Sequence, residues 1–531
     1  MNFDVVIVGG GSAGCCLAGR LSEDPGRSVC LIEAGPPDRD PRIKIPLALI
    51  ALIGNPRFDW CYESTPHAHM NGHTVPVPRG KTLGGSGSIN SMVYIRGRPS
   101  DYDAWARLGC VGWNWDSVLP YFIKAESNQR LADDPLHGRD GPLSVEDLRS
   151  PDPMLEQYIA AGKAVGIPAN RDFNGTSQEG IGTYQLTMHK GRRWSAADAY
   201  LKPALGRKNL HVVTHAEVES IDFDGKLARW LNLRRGSEHE TIVIDAELIL
   251  CAGTIGTPAL LLRSGVGPQD HLQEFEIPIV HELPGVGENL HDHPAIAAHY
   301  EGGDSGRGLS FATLPGLAAA PFEYLFARRG IFTSNLVEGG GFARTDASLT
   351  EPDVQFHFIP SKVGHIGAKI TWGRGYYCDV CVLKPASRGR LRLASAKIDD
   401  DPIIDLNMLS NYEDRQTLLR GLKLLRRILS SPALSGSGAK EVVPGPAVQS
   451  DDELLQYIYE RLGTAYHPVG TCRMGDPADP MTVVGPDLRI CGLENVRIAD
   501  ASVMPELVAG NTNAPTMMIA EVAAVKIRHG E

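Results

Sequence analysis

Two rhythms of apolar and polar positions run along this chain. The first is continuous: Asp4 leads into Val5-Val6-Ile7-Val8, an unbroken apolar run of the kind a parallel sheet buries on both faces. Small residues follow, Gly9-Gly10-Gly11-Ser12-Ala13-Gly14, and Ala13 to Leu21 then carries small and aliphatic residues suited to a helix. A second apolar run, Ser28 to Ile32, ends on Glu33. The pattern predicts strand, tight turn, helix, strand. Further on, Val354–Ile359, Tyr376–Leu383 and Gly389–Leu393 read as strands of an antiparallel sheet. Leu418, Leu419, Leu422, Leu425 and Ile428 recur at helical spacing and predict a helix backing that sheet. The tail from Ala514 is helical in pattern, with Pro515 suited to its first turn. Leu434–Gly445 is the most loop-like stretch, and no internal repeat is visible.

Gly9, Gly11 and Gly14 satisfy Gly-x-Gly-x-x-Gly between a strand and a helix, with an acid, Glu33, about twenty residues on. A lone glycine motif is weak evidence. In this context each residue has a physical role. The glycines allow a tight turn and close approach of backbone to a pyrophosphate, and the helix N-terminus at Ser12 and Ala13 faces the anion. Glu33, with Ala34 beside it, then meets the ribose hydroxyls. The motif does not separate NAD from FAD. Only one such fingerprint is present, so a bound flavin would have no NAD partner site. Its electrons would leave to oxygen, a quinone or another protein.

At 531 residues the chain is long enough for two domains and a large core. Its net charge of −11 argues against nucleic acid and gives no overall attraction to an anionic membrane surface. No apolar run approaches the roughly 20 residues of a spanning helix. The N-terminus shows no signal peptide, and most of the ten cysteines sit in apolar segments, so a reducing cytoplasm is expected. Cys378 and Cys381 lie three apart in a predicted strand, which puts them on opposite faces, and no second pair accompanies them. Their expected role is structural.

The segment Arg79 to Asn90, which includes Leu83 and Gly85, is too rich in Gly and Ser to be a core element. It resembles the first signature of the glucose-methanol-choline (GMC) oxidoreductases. Gly253-Thr254-Ile255-Gly256-Thr257-Pro258 through Gly267-Pro268 resembles the second. His467-Pro468-Val469-Gly470-Thr471-Cys472-Arg473-Met474-Gly475 is similar to the catalytic His motif, and Asp500-Ala501-Ser502-Val503-Met504-Pro505, running into Asn511, to the last segment. The matches are in family order and cover nearly the whole chain. Within the family the text looks most like bacterial FAD-dependent alcohol dehydrogenases, near the polyethylene glycol, sorbose and choline dehydrogenases.

The resemblance implies an α/β fold: a Rossmann-like FAD-binding domain from residues 1–43, 79–150, 205–300 and 460–531. A substrate domain from 44–78, 151–204 and 301–459 would add an antiparallel sheet backed by helices. Besides the glycine motif, Glu33, Ala34, Leu83 and Gly85, it implies FAD contacts at Asn90, Met92, Val93, Val218, Ala252, Gly253, Asp500, Ala501, Asn513, Pro515 and Thr516. Ile89 stands where some members carry the histidine that bonds the flavin, so FAD is expected to be non-covalent. His291-Asp292-His293 is assigned no metal.

The chemistry this implies is oxidation of a primary alcohol to an aldehyde by hydride transfer to flavin N5. His467 would be the base, because an unperturbed imidazole titrates near neutrality. Asn511 would hold the substrate oxygen, since an amide can donate but cannot act as a base. The N-terminus of the tail helix, aimed at the flavin, would stabilise negative charge on it. Glu338 and His357 are weaker substrate-side candidates, and Glu338 could equally cap a buried network. The expected partners are a small neutral alcohol and a quinone or other non-oxygen acceptor. Peripheral membrane association on the cytoplasmic side is carried by the resemblance alone, and the oligomeric state is left open. An oxygen-using oxidase, or a lyase or decarboxylase on the same scaffold, are the alternatives.

Overall fold

The computed structural model describes residues 2–302, 306–311, 313–362, 372–436 and 438–530. Its first sheet grows outward from the N-terminal apolar run. Strand Asn2–Val8 lies between Val29–Ile32 and Glu238–Leu250, with Leu210–Val213 beyond the former and Val496–Ile498 alongside the latter. These five pair in parallel. Leu227–Arg235 and Glu217–Asp224 extend the sheet as an antiparallel meander. The register aligns Val8 with both Ile32 and Leu250, and Leu250 with Ile498. Four strands therefore end at one level, and the residues just beyond their ends face one crevice. Those residues are the glycine turn, Glu33, Ala252 with Gly253, and Asp500. A parallel sheet places its ligand outside such carboxyl ends.

The helix after the first strand, Ser12–Leu21, packs against the C-terminal helix Asn513–His529. Their N-termini are tied by Ser12 Oγ donating to Asn513 Oδ1 at 2.7 Å. Midway along the C-terminal helix Glu521, fully buried, pairs at 2.7 Å with Arg20 in the last turn of the first helix. Residues more than 500 positions apart in sequence are thereby fixed at one end of the crevice.

The second sheet has eight strands and is antiparallel. Its main path runs Lys440–Val443, Pro294–Glu301, Gly373–Val382, Val354–Ile359, Gly339–Ala343, Gly180–Thr183. Helix Tyr412–Leu429 backs it with the predicted stripe, Leu418 to Ile428, buried. Gly421 allows the close approach, because a Cβ there would lie 3.1 Å from Val354 and from Val380. Cys378 and Cys381 are buried in this sheet as free thiols.

Two sequence expectations are corrected here. Arg390–Arg392 is a strand but lies outside the large sheet. It pairs with Ile403–Asp405, and the flanking backbone of Gly389 and Leu391 is taken by Leu290 and Gly287. The stretch Leu434–Gly445 is less irregular than its Gly and Ser content suggested. It begins inside a helical turn at Pro432–Ser435 and supplies the edge strand Lys440–Val443, paired with His299–Glu301. No helix among the described residues is long and apolar enough to cross a membrane.

Candidate active site

One cavity of about 460 Å³ runs from the glycine turn, past Glu33 and Val218, to His467 and Asn511. That is within the roughly 300–1,000 Å³ of ligand clefts. Of the sequence-predicted residues, Gly9, Gly11, Ser12, Ala13, Glu33, Ala34, Gly85, Asn90, Met92, Val93 and Val218 line it. So do Ala252, Gly253, Asp500, Ala501, Asn511, Asn513, Thr516, His467 and His357. Gly14, Leu83 and Pro515 stand behind the lining. A Cβ at Gly14 would lie 1.9 Å from the Gly9 carbonyl oxygen, which explains the glycine as a close helix–strand contact.

Several features form a cradle for a dinucleotide. Gly9 has φ of +101°, and a Cβ there would lie 2.4 Å from the Cys251 oxygen. Gly85 crosses Gly11 so closely that a Cβ would sit 2.7 Å from its Cα, so backbone rather than side chain faces the cavity. Glu33 is held in place by accepting from Gly10 N and Gly35 N, each at 2.8 Å. Burial raises its pKa against those two bonds. Asp500 caps from below, accepting from Gly253 N at 2.8 Å and Thr257 Oγ1 at 2.7 Å. Two helix N-termini, at Ser12 and Asn513, also open on this cavity, supplying fixed partial positive charge for a pyrophosphate or an electron-rich ring.

The far end of the cavity holds His467. Its tautomer is dictated by its surroundings. His293 Nε2 faces two carbonyl oxygens, Leu383 O and Val508 O, both at 3.1 Å, so that nitrogen carries the hydrogen. Burial holds the His293 pKa down to about 3, so the ring is neutral and its Nδ1 is a bare acceptor. His467 Nδ1, 3.0 Å away, must then be the donor. This leaves the lone pair of His467 on Nε2, and Asn511 Nδ2 donates to it at 3.0 Å. Gln355 fixes the amide's orientation by donating from Nε2 to Asn511 Oδ1 at 3.2 Å. Burial, with His293, His357 and Arg79 as neighbours, holds His467 well below the usual histidine range, so it is neutral. Asp292 anchors the backbone of both rings, accepting from His467 N at 2.8 Å and His293 N at 2.7 Å.

The arrangement can hold an oxygen and take its proton. A hydroxyl oxygen about 2.8 Å from both Asn511 Nδ2 and His467 Nε2 would accept from one and donate to the other.

The remaining wall is largely apolar. Leu49, Ile53, Ala297, Leu336, Val337, Ile359 and Tyr377 form one cluster and line the cavity. Asp379 adds a carboxylate, engaged with His357 Nδ1 at 2.7 Å.

Glu338 is corrected: Leu336 and Val337 line the cavity, but Glu338 does not. It is fully buried, accepting from Asp152 N at 2.7 Å and Ser334 Oγ at 2.5 Å, and paired with Arg307. That is the buried-network alternative. Sequence reasoning missed His293, Gln355 and Asp379. Their only signal was polarity inside apolar strand text, since each lies in or beside a strand of the second sheet.

The chain matches the family model described as GMC oxidoreductase over residues 3–295 for its N-terminal part and 385–520 for its C-terminal part. It is 45% identical over 525 residues to an alcohol dehydrogenase (acceptor) of Pseudomonas putida, covering 98% of this chain and 95% of that one. It is 41% identical over 535 residues to the oxygen-dependent choline dehydrogenase 1 of Chromohalobacter salexigens, covering 99% and 95%. Among solved structures, pyridoxine 4-oxidase from Mesorbium loti superposes with a TM-score of 0.89 at 33% identity over 99% of each chain.

Proposed function

This chain belongs to the GMC oxidoreductase family, a flavin oxidoreductase acting on alcohols with FAD as cofactor, and on that premise we propose that it oxidises a primary alcohol to the aldehyde and passes the electrons to a quinone or other non-oxygen acceptor. The observation that carries the reading is the hydrogen-bonded chain ending in the His467 Nε2 lone pair, with Asn511 beside it.

Bound FAD supplies the two-electron acceptor for the hydrogen leaving the alcohol carbon. The glycine turn, Glu33 and Asp500 would hold it, and Ile89 offers no nucleophile for a covalent link, so acid precipitation should release it intact. Asn511 holds the alcohol oxygen and sets the carbon's position. His467 takes the hydroxyl proton on Nε2, a contribution worth roughly 10²–10⁴-fold in rate. Its Nδ1–H remains donated to His293, which spreads the new charge toward the Leu383 and Val508 carbonyls. The apolar cluster from Leu49 to Tyr377 excludes water and suits an aliphatic or aromatic tail. Asp379 supports a second reading, a cationic alcohol of the choline kind, because it puts a carboxylate on the same wall.

The test is anaerobic mixing of the holoenzyme with a panel of neutral primary alcohols and choline, followed by visible absorbance. The flavin should bleach with neutral alcohols, stay bleached in air, and recover with a quinone analogue. Recovery in air alone would make the protein an oxidase. No bleaching with any alcohol would leave the lyase class instead.

A further inference from the structure

Helix Leu314–Ala327, Leu-Pro-Gly-Leu-Ala-Ala-Ala-Pro-Phe-Glu-Tyr-Leu-Phe-Ala, contains a single charged residue, Glu323. Only Ala320 and Tyr324 of its fourteen residues are buried. A surface helix ordinarily turns polar residues outward. This one presents Phe322 64%, Leu325 63% and Phe326 86% exposed. Phe311, 82% exposed and just before the helix in sequence, packs its ring edge against the exposed Trp372 at 4.9 Å. Large apolar side chains exposed together on one helix mark an interaction site.

A basic collar adjoins one end. Arg328 and Arg329 come directly after the helix, and Arg328 lies 4.7 Å over the Tyr324 ring. The turn at Lys190-Gly191-Arg192 abuts them: a Cβ on Gly191 would lie 2.7 Å from the Arg328 oxygen and 3.2 Å from Arg149 Cδ. Arg149, Lys190, Arg192 and Arg329 are exposed and Arg328 half-exposed. None of the five forms an ion pair among the described residues. In a chain of net charge −11 this is a local reversal of sign, invisible to the overall balance.

We propose that this helix, with Phe311 and Trp372, lies in the surface of an anionic phospholipid bilayer, its aromatic residues among the acyl chains and the five cations at the headgroups. An apolar helix face bordered by Lys and Arg is the chemistry an interfacial helix needs. A second copy of this chain would cover the apolar side chains but does not explain the row of unpaired cations beside them, which an anionic headgroup layer does. The placement also has a use. The turn Ile331–Thr333 packs between this helix and Pro46–Ala51, whose Leu49 lines the active-site cavity. An apolar substrate or acceptor dissolved in the bilayer would meet the cavity's apolar wall. The docking surface itself stands independently of which acceptor the enzyme uses.

The experiment is flotation of the holoenzyme with vesicles of equal parts phosphatidylglycerol and phosphatidylcholine, against vesicles of phosphatidylcholine alone. Wild type should float with the anionic vesicles and be released by salt. The double variant F322S/F326S, and separately R328E/R329E, should each partition at least tenfold less. Both should keep wild-type melting temperature and activity with a soluble dye acceptor. No flotation of wild type, equal partition onto phosphatidylcholine alone, or undiminished binding of F322S/F326S would each overturn the proposal. A wild-type dimer that F322S/F326S splits would assign the patch to a second copy and overturn it as well.

Discussion

Replacing His293 should disable His467 without touching the substrate. In His293→Leu the His467 Nδ1–H loses its acceptor, now 3.0 Å away, in a site closed to water. An unsatisfied buried donor costs about 1–3 kcal/mol. The competing tautomer, with hydrogen on Nε2, avoids that cost by donating toward a turned Asn511 amide. At about 1.4 kcal/mol per tenfold, the competent tautomer is depleted roughly 5- to 150-fold. The expected result is a fall in kcat of one to two orders of magnitude with KM for the alcohol and FAD content nearly unchanged. His293→Gln supplies both roles from one amide: Oε1 accepts from His467 and Nε2 donates to the Leu383 and Val508 carbonyls. It should recover most of the activity. Steady-state kinetics on both holoenzymes decide the matter. If His293→Leu keeps near wild-type kcat, or if Gln and Leu are equally impaired, the tautomer argument is wrong and His293 is only packing.

Because burial holds His467 well below 6.5, its base form persists as pH falls, and kcat/KM should stay flat down to pH 6.5 and decline only below it; an acidic limb centred above 6.5 would contradict this. Away from the cavity, His137 joins Glu126 at 3.1 Å and Asp172 at 3.1 Å. Burial opposes its charge, but the Asp172 and Glu126 carboxylates outweigh burial and raise it to about 9. A histidine raised in this way gives stability that is full below its unfolded value of 6.5 and lost as pH rises through about 9. Denaturant unfolding should therefore show wild type about 3 kcal/mol more stable than His137→Asn below pH 6.5, the gap closing above pH 9; a constant gap would show the charge to be irrelevant. Thr516→Asp puts negative charge in the first turn of the C-terminal helix, on the cavity. It should lower the flavin's two-electron potential by about 10–40 mV in a dye titration, and an unchanged potential would count against the helix as a tuner.

The nucleotide end was legible because its determinants are local. The apolar runs and the glycines between them set strand, turn and helix within one short segment, and parallel register then brought Gly253 and Asp500 to the same level. His467 and Asn511 were legible from motif resemblance, and they meet at 3.0 Å. The groups that hold them were not. The hydrogen on His293 is decided by carbonyls of Leu383 and Val508, which no local pattern announces. Glu338 shows the limit of reading exposure in an irregular segment: its neighbours Leu336 and Val337 line the cavity while it turns into a buried network. The apolar wall joins Leu49, Ala297, Leu336, Ile359 and Tyr377 from separate segments, so it exists only after the second sheet has formed. The short strand Lys440–Val443 was hidden for a related reason, since pairing with Pro294–Glu301 overrides a turn-like composition.

The central claim is that His467 Nε2 takes the alcohol's proton. The most direct measurement is anaerobic stopped-flow of wild-type and His467→Ala holoenzymes with the best alcohol from the panel, monitoring flavin absorbance. FAD content serves as the control for folding. Wild type should bleach in a single saturable phase, and His467→Ala should bleach roughly 10²–10⁴-fold more slowly with full FAD retained. Bleaching at the wild-type rate in His467→Ala would contradict the assignment of the base.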